Sequence, residues 1–290
     1  MIVNNLLSVR LREMWQQADQ NGMSADQCAA KQKLELDKYA EIWKRALLLP
    51  GEDDLVRSTL IEIGRWRGID DLDVVRRRCE DSLRALKLHW EQTVHQVDSQ
   101  QVENYYDAAD DCIEELMWWH TLSEDNSPLA YVSAFEFAST NGCKTHLDFG
   151  SGVGSGALLF RSNNFEVTLA DISSVLLSFC KRRFNDRGRD ATFIDLKESK
   201  LPENAFDFVT AMDVFEHLVD PAATVDSLDR SMKPGGYIYG RFSADDDDHD
   251  RPQHIVHDFR PVFDRFAELG FKQVFEDDWL WGHQVFQKAG

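Results

Sequence analysis

From residue 4 to about residue 122 apolar positions recur at helical intervals, with almost no alternating stretch that would read as a strand. Leu6, Leu7, Val9, Arg10 and Met14 open an amphipathic helix that Asn21-Gly22 ends. Ser24-Ala25-Asp26-Gln27 has the spacing of a capping box, so a second helix starts there. Its apolar face includes Leu34, Tyr39, Ile42, Trp43 and Leu47, and Pro50-Gly51 stops it. A third helix is predicted over about 53–66, closed by Gly68. A long fourth follows Asp70 or Asp71 through Val74, Leu83, Leu86 and Trp90, and a fifth covers about 101–121.

The polar linker Ser123-Glu124-Asp125-Asn126-Ser127-Pro128 marks a boundary, and the pattern changes after it. Strands are expected at 145–149, 165–170, 191–194, 206–212 and 237–242, the last entered through a Pro234-Gly235-Gly236 turn. Helical stretches separate them, beginning with 129–139 and ending with 260–269. Two final strands, 271–275 and about 281–286, have a short link and should pair antiparallel. Strand alternating with helix implies an α/β fold, a mostly parallel sheet with right-handed crossovers. The chain therefore reads as two parts, a helical domain over 1–122 and an α/β domain over 129–290. The first would serve as a lid, a substrate-binding layer or a dimerisation surface.

Charge narrows the partners. A net charge of −19 argues against nucleic acid, which needs a basic stripe along the phosphates. Arg76-Arg77-Arg78 and Lys181-Arg182-Arg183 sit among acids in helical patterns and read as solvated faces. The cysteines, Cys28, Cys79, Cys112, Cys143 and Cys180, form no C-x-x-C pair, which suggests reduced thiols in the cytoplasm. There is no run of signal-peptide type and no stretch of about eighteen apolar residues, so no membrane partner is expected.

The candidate chemistry starts at Leu147-Asp148-Phe149-Gly150-Ser151-Gly152-Val153-Gly154-Ser155-Gly156, where a short strand runs into alternate glycines and a helix. Such a turn lets a ligand lie against bare main chain, and the helix start offers unpaired N–H groups. As a dinucleotide fingerprint the match is incomplete, since the third glycine would fall on Ser155. Acids stand near the ends of four successive strands: Asp148, Asp171, Asp195 and Asp213. In open α/β sheets those ends face the ligand. Asp171 lies about twenty residues past the glycine turn, where an acid can hold ribose hydroxyls, a spacing that also suits NAD.

The Asp-x-Gly-x-Gly-x-Gly stretch resembles motif I of the class I S-adenosylmethionine-dependent methyltransferases. Asp195 after the third strand, Asp213-Val214-Phe215-Glu216-His217 after the fourth and Lys233-Pro234-Gly235-Gly236 before the fifth resemble that family's later motifs. The resemblance covers about 129–287; the helical first half carries no motif that points to a family. It implies a Rossmann-like, seven-stranded, mostly parallel sheet with an antiparallel final strand, S-adenosyl-L-methionine as cofactor and S-adenosyl-L-homocysteine as product. It further implies that Gly150, Gly152 and Gly154 pass under the methionyl part, with Asp148 near its ammonium. Asp171 would hold the ribose and Ile172 would pack on adenine. Asp195 and Leu196 would contact the adenine edge, and Met212 and Asp213 would lie beside the sulfonium.

The reaction implied is methylation of an oxygen or nitrogen on a small-molecule or biosynthetic-intermediate acceptor. His217, Glu216, His254 and His257 are the candidate bases, should the acceptor carry a proton that must leave. Tyr105, Tyr106, Trp119 and His120, just ahead of the α/β part, are candidate substrate contacts. The run Asp245-Asp246-Asp247-Asp248-His249-Asp250 invites a metal reading, but lacks EF-hand spacing; a solvated acceptor loop, and no metal, is the expectation. Two competing classes are an NAD(P)-dependent oxidoreductase and a non-catalytic subunit of the same fold. In the second, the helical half would bind a protein partner; a homodimer or carrier contact through it is a further expectation.

Overall fold

The computed structural model describes residues 6–18, 20–108, 110–242 and 251–290. Among them the helical half contains α1 (Leu7–Gln16), α2 (Ala25–Leu47), α3 (Leu55–Arg67), α4 (Leu72–Glu80), α5 (Ser82–Thr93), α6 (Ser99–Ala108) and α7 (Cys112–Trp119). The capping box forms as its spacing predicts: Gln27 N–H donates to Ser24 Oγ and Ser24 N–H to Gln27 Oε1. Two helices expected to be continuous are broken. Between α4 and α5, Ser82 Oγ donates to the Cys79 carbonyl at 2.6 Å, satisfying an acceptor a continuous helix would have used. Between α6 and α7, Arg67 Nη2 takes the Asp110 carbonyl at 2.9 Å.

The α/β half follows as α8 (Ala130–Thr140), β1 (Thr145–Phe149), α9 (Ser155–Ser162), β2 (Glu166–Asp171), α10 (Ser174–Asp186), β3 (Thr192–Asp195) and β4 (Phe206–Ala211). Then come α11 (Pro221–Ser231), β5 (Met232–Arg241), α12 (Arg260–Glu268), β6 (Lys272–Glu276) and β7 (His283–Gln287). The seven strands lie in the order β3-β2-β1-β4-β5-β7-β6, with β7 antiparallel to both neighbours and β1 to β5 parallel. β5 begins earlier than expected, at Met232. Met232 pairs with Phe206, the register shifts over the Pro234-Gly235-Gly236 segment, and regular pairing resumes at Tyr237. Order reverses between β1 and β4, so a crevice opens beyond their carboxyl ends.

Both sheet faces are covered. Phe208 packs with Phe137 and Phe160 on one side, while its neighbour Val209 joins Ile238, Val225 and Phe266 on the other. The helical half shares its apolar clusters with this sheet. Tyr39 and Trp43 pack into the cluster of Phe137 and Phe160. Val75, Trp90, Tyr105 and Met117 pack with Val153, Leu176 and Phe179. That layer places α5 to α7 over the crevice. Among the described residues no helix is long and apolar enough to cross a membrane.

Candidate active site

β1 delivers the chain into a turn that only glycine fits. Gly150 has φ 65°, and a Cβ there would stand 2.6 Å from Val214 just after β4. Gly154, with φ 71°, caps α9; a Cβ there would meet Leu169 at 2.8 Å and Cys180 at 2.9 Å. Gly154 therefore brings α9 close to β2 and α10 and does not line the crevice, unlike Gly150 and Gly152.

Beyond the strand ends lies a cleft of about 350 Å³, within the range of small-molecule sites. The glycine turn, Asp171, Ile172, Leu196, Met212 and Asp213 form its floor and one wall. Tyr105, Tyr106, Trp119 and His120, from the helical half, also line the cleft. Tyr105 is mostly core, edge-on to Trp90 and Tyr106, whereas the buried Tyr106 hydroxyl has no hydrogen-bond partner among the described residues. His120 is sandwiched near Trp43, Trp119 and Tyr131, and burial drives its pKa down to about 3.

The four strand-end acids divide in role. Asp171 faces the cleft: its Oδ2 accepts from Gly152 N–H and its Oδ1 from Ser173 N–H, both at 2.9 Å. Burial lifts its pKa to about 6, against those backbone hydrogen bonds. Asp148 does not reach the cleft. It is 1 % exposed, accepts from Ala157 N–H at 2.9 Å and from Thr210 Oγ1 at 2.8 Å, and so ties the start of α9 to β4. Asp195 is likewise turned away, accepting from Ser174 Oγ and Lys197 N–H, while its neighbour Leu196 lines the cleft. Asp213 does line it, in the left-handed region at φ 51°, with Arg241 Nη1 3.3 Å away. A non-glycine residue held there at a strand end is a strained position of the kind found at functional sites.

Glu216 and His217, in a 3-10 turn (Phe215–His217), and His254 also line the cleft. His217 Nδ1 lies 3.0 Å from the Gln253 carbonyl; a carbonyl only accepts, so Nδ1 carries the proton and Nε2 the lone pair. The rings of His217 and His254 are 4.9 Å apart. Burial holds both imidazoles below their ordinary pKa, that of His254 down to about 3. Burial, reinforced by the Asp213 charge, pushes the Glu216 carboxyl well above the usual carboxylate range. One donor atom from each of Glu216, His217 and His254 lies within 4.8 Å of the others, a set that could hold a metal ion. His257, expected beside them, is exposed and absent from the cleft, because the chain turns outward after Val256. Residues Asp245 to Asp248, His249 and Asp250 lie outside the described residues.

Other residues lining the cleft were not anticipated: Glu115, Leu116, Arg241, Arg251 and Gln253. Arg241 was within reach of the strand-end rule, being the last residue of β5. Glu115 and Leu116 required knowing that α7 folds back over the glycine turn, where Leu116 stands 3.0 Å from the place of a Cβ on Gly152.

Residues 147–240 match the family model described as a methyltransferase domain. The ubiquinone biosynthesis O-methyltransferase of Pseudomonas syringae pv. tomato is 31 % identical over 132 residues, 42 % of this chain and 56 % of that protein. The protein of that description from Vibrio cholerae serotype O1 is 26 % identical over 152 residues, 49 % of this chain and 59 % of its own length. The chain thus spans little more than half the length of these curated relatives. Among solved structures, magnesium protoporphyrin IX methyltransferase from Synechocystis PCC 6803, with bound SAM, superposes with a TM-score of 0.51. It is 14 % identical and covers 68 % of this chain and 100 % of its own, a likeness of fold. Sheet order and glycine turn thus agree with the methyltransferase-domain match over residues 147–240 of this chain.

Proposed function

We propose that this chain transfers a methyl group from S-adenosyl-L-methionine to an oxygen or nitrogen of a small-molecule acceptor. One observation carries the reading: the glycine turn, Asp171, Ile172, Leu196, Met212, Asp213, Glu216, His217 and His254 all line one cleft. The donor fits these residues. Gly150 and Gly152 leave bare backbone where a Cβ would crowd the cleft, and Ser151 Oγ is buried there without a hydrogen-bond partner among the described residues. Asp171 would hold the ribose hydroxyls, Ile172 and Leu196 would flank the adenine, and Met212 and Asp213 would lie beside the sulfur. When bound, the donor supplies a methyl carbon already activated by a positive sulfur, so the protein's task is alignment and exclusion of water.

The acid-rich end near Asp213 and Asp171 suits a cationic sulfonium. Tyr106, Trp119 and His120 would hold the acceptor against it. His217, its Nδ1–H fixed on Gln253, offers Nε2 to a proton leaving the acceptor. Residues 1–122 serve the cleft as its cover in this reading, and a homodimer or carrier contact would use their outer face; sedimentation at two concentrations tests that contact. The described cysteines are all unpaired and buried, which supports a reducing, cytoplasmic setting. A screen of hydroxyl- and amine-bearing acceptors with the donor, read by a one-methyl mass gain, tests the activity. Gain on neither class, by protein that binds S-adenosylhomocysteine, would contradict it.

A further inference from the structure

The glycine turn is held from behind by a buried charge. Gly154 N–H donates to the Ser151 carbonyl at 2.8 Å, closing a β-turn over residues 151–154 with Gly152, φ 51°, at its first central position. Turn types differ in the direction of the central peptide, so an outside contact there selects one. α10 makes two such contacts on successive carbonyls: Cys180 Sγ donates to Gly152 at 3.1 Å and Arg183 Nη1 to Val153 at 2.6 Å. Arg183 Nη1 also donates at 2.9 Å to Ser155 Oγ, on the first residue of α9. In a trans peptide C=O and N–H point opposite ways, so the Val153 N–H is turned away from α10. The basic run Lys181-Arg182-Arg183 was expected on a solvated face, yet Arg183 is 3 % exposed, because it lies one helical turn past Cys180 on the face against the glycine turn.

Three buried ionic groups meet there. Arg183 Nε donates to Glu62 Oε2 at 2.9 Å and Arg187 Nη2 donates to Glu62 Oε1, and none of the three side chains is more than 5 % exposed. Asp186, at the end of α10, stands 3.9 Å from the exposed Arg65. Among the described residues, one buried carboxylate thus faces two guanidinium groups, and burial keeps water and salt from screening the excess. Its field reaches the cleft: after burial itself, the Arg183 charge is what lowers the pKa of the cleft-lining His120.

The donor proposed for this cleft carries a carboxylate as well as a sulfonium. The lining presents Asp171, Asp213, Glu115 and Glu216 to it. Among the described residues the guanidinium groups of the lining each stand beside an acid, Arg241 3.3 Å from Asp213 and Arg251 3.8 Å from Glu115. Such a lining repels an anion unless a positive potential offsets it. We propose that Arg183 is a positioning residue for the donor, holding the glycine turn in shape and supplying from behind it the positive charge that favours the donor's carboxylate. Glu62, on α3 of the helical half, is the counter-charge that sets how much of that field remains. Arg183 does not line the cleft, so it acts through Val153, Ser155 and space. The helical half thereby influences the donor through Glu62 without touching it. The identity of the ligand rests on the methyl-transfer reading.

The test is calorimetry on the full chain with two ligands, S-adenosylhomocysteine and its decarboxylated analogue, which lacks the carboxylate alone. The ratio of their affinities reads the charge felt at the amino-acid end. The parent is expected to prefer the carboxylated ligand at least about tenfold, the scale of one charge pair at reduced dielectric. Arg183→Gln leaves Glu62 paired with Arg187 and removes the excess, so the preference should fall at least about fivefold. Arg183→Lys keeps the charge and should hold the preference within about threefold of the parent. Glu62→Gln enlarges the excess, so the preference should rise at least about threefold. Opposite shifts in the Arg183→Gln and Glu62→Gln variants separate a charge acting on the ligand from a cluster that only supports the fold. If one of those two fails to fold, the direction of the other decides. A parent that takes neither ligand would overturn the methyl-transfer reading and this one together. A parent that takes S-adenosylhomocysteine without preference would overturn this one alone. So would a preference unmoved by the variants, moved the same way by Arg183→Gln and Glu62→Gln, or lost as fully in Arg183→Lys as in Arg183→Gln.

Discussion

Glu62 on α3 accepts from Arg183 Nε on α10 at 2.9 Å, and both side chains are only 3 % exposed. Arg183 also donates to the Val153 carbonyl at 2.6 Å and to Ser155 Oγ at 2.9 Å, and Arg187 joins Glu62 from the next turn. A carboxylate on the helical half is thereby linked, through one guanidinium, to the glycine turn. α3 and the glycine turn are thus one electrostatic unit.

Removing one partner of that unit should be severe. Glu62→Ala leaves buried guanidinium charge uncompensated and is expected to cost about 3–5 kcal/mol in urea unfolding. Lys33→Ala, which breaks the exposed Lys33–Asp37 pair, should cost less than about 1 kcal/mol. Equal losses would show that the Glu62 site is solvated.

The glycine turn offers a paired comparison. Gly150→Ala adds a left-handed alanine, about 1–2 kcal/mol, and drives a methyl into Val214. Gly188 also has positive φ, 59°, but nothing stands within 4 Å of its Cβ position. Gly188→Ala should therefore cost only the backbone penalty, and Gly150→Ala roughly twice that or more. Unfolding midpoints of the two variants measure the difference; indistinguishable midpoints would contradict the packing of the turn against β4.

His120 makes stability depend on pH. Burial holds its folded pKa near 3, against 6.5 for the ordinary side chain. The unfolded chain takes up a proton that the folded chain refuses, so stability present at neutral pH is lost as pH falls from 6.5 toward 3. Between pH 7 and 5, His120→Phe should lose about 2 kcal/mol less stability than the parent, by denaturant unfolding at both values. An unchanged loss would show that His120 is protonated in the fold.

Much of the α/β half was legible because its signals are local. Each strand is a short apolar run, and the acids and glycines fall where β1, β2 and β4 end. Asp171, Ile172, Leu196, Met212 and Asp213 were reachable by that rule and lie in the cleft. The rule does not say which way a side chain turns, so Asp148 and Asp195 went to backbone and hydroxyl donors instead. Helix breaks at Asp81 and Asp110 were hidden because helical periodicity continues across them; what ends the helices is side chains such as Ser82 and Arg67 taking carbonyls. The meeting of Glu216 and His217 with His254 was anticipated only as separate candidates. It depends on Ile255 and Val256 bonding to the Glu216 carbonyl, a tertiary event with no linear pattern.

The central claim is that Asp171 and the glycine turn grip an S-adenosyl nucleoside. Isothermal titration of S-adenosylhomocysteine into the full chain and into Asp171→Ala tests it most directly. The account predicts one ligand per chain and a loss of at least about tenfold in the variant, the scale of charge-assisted hydrogen bonds to a carboxylate. No binding by the parent, or equal affinity in the variant, would contradict it.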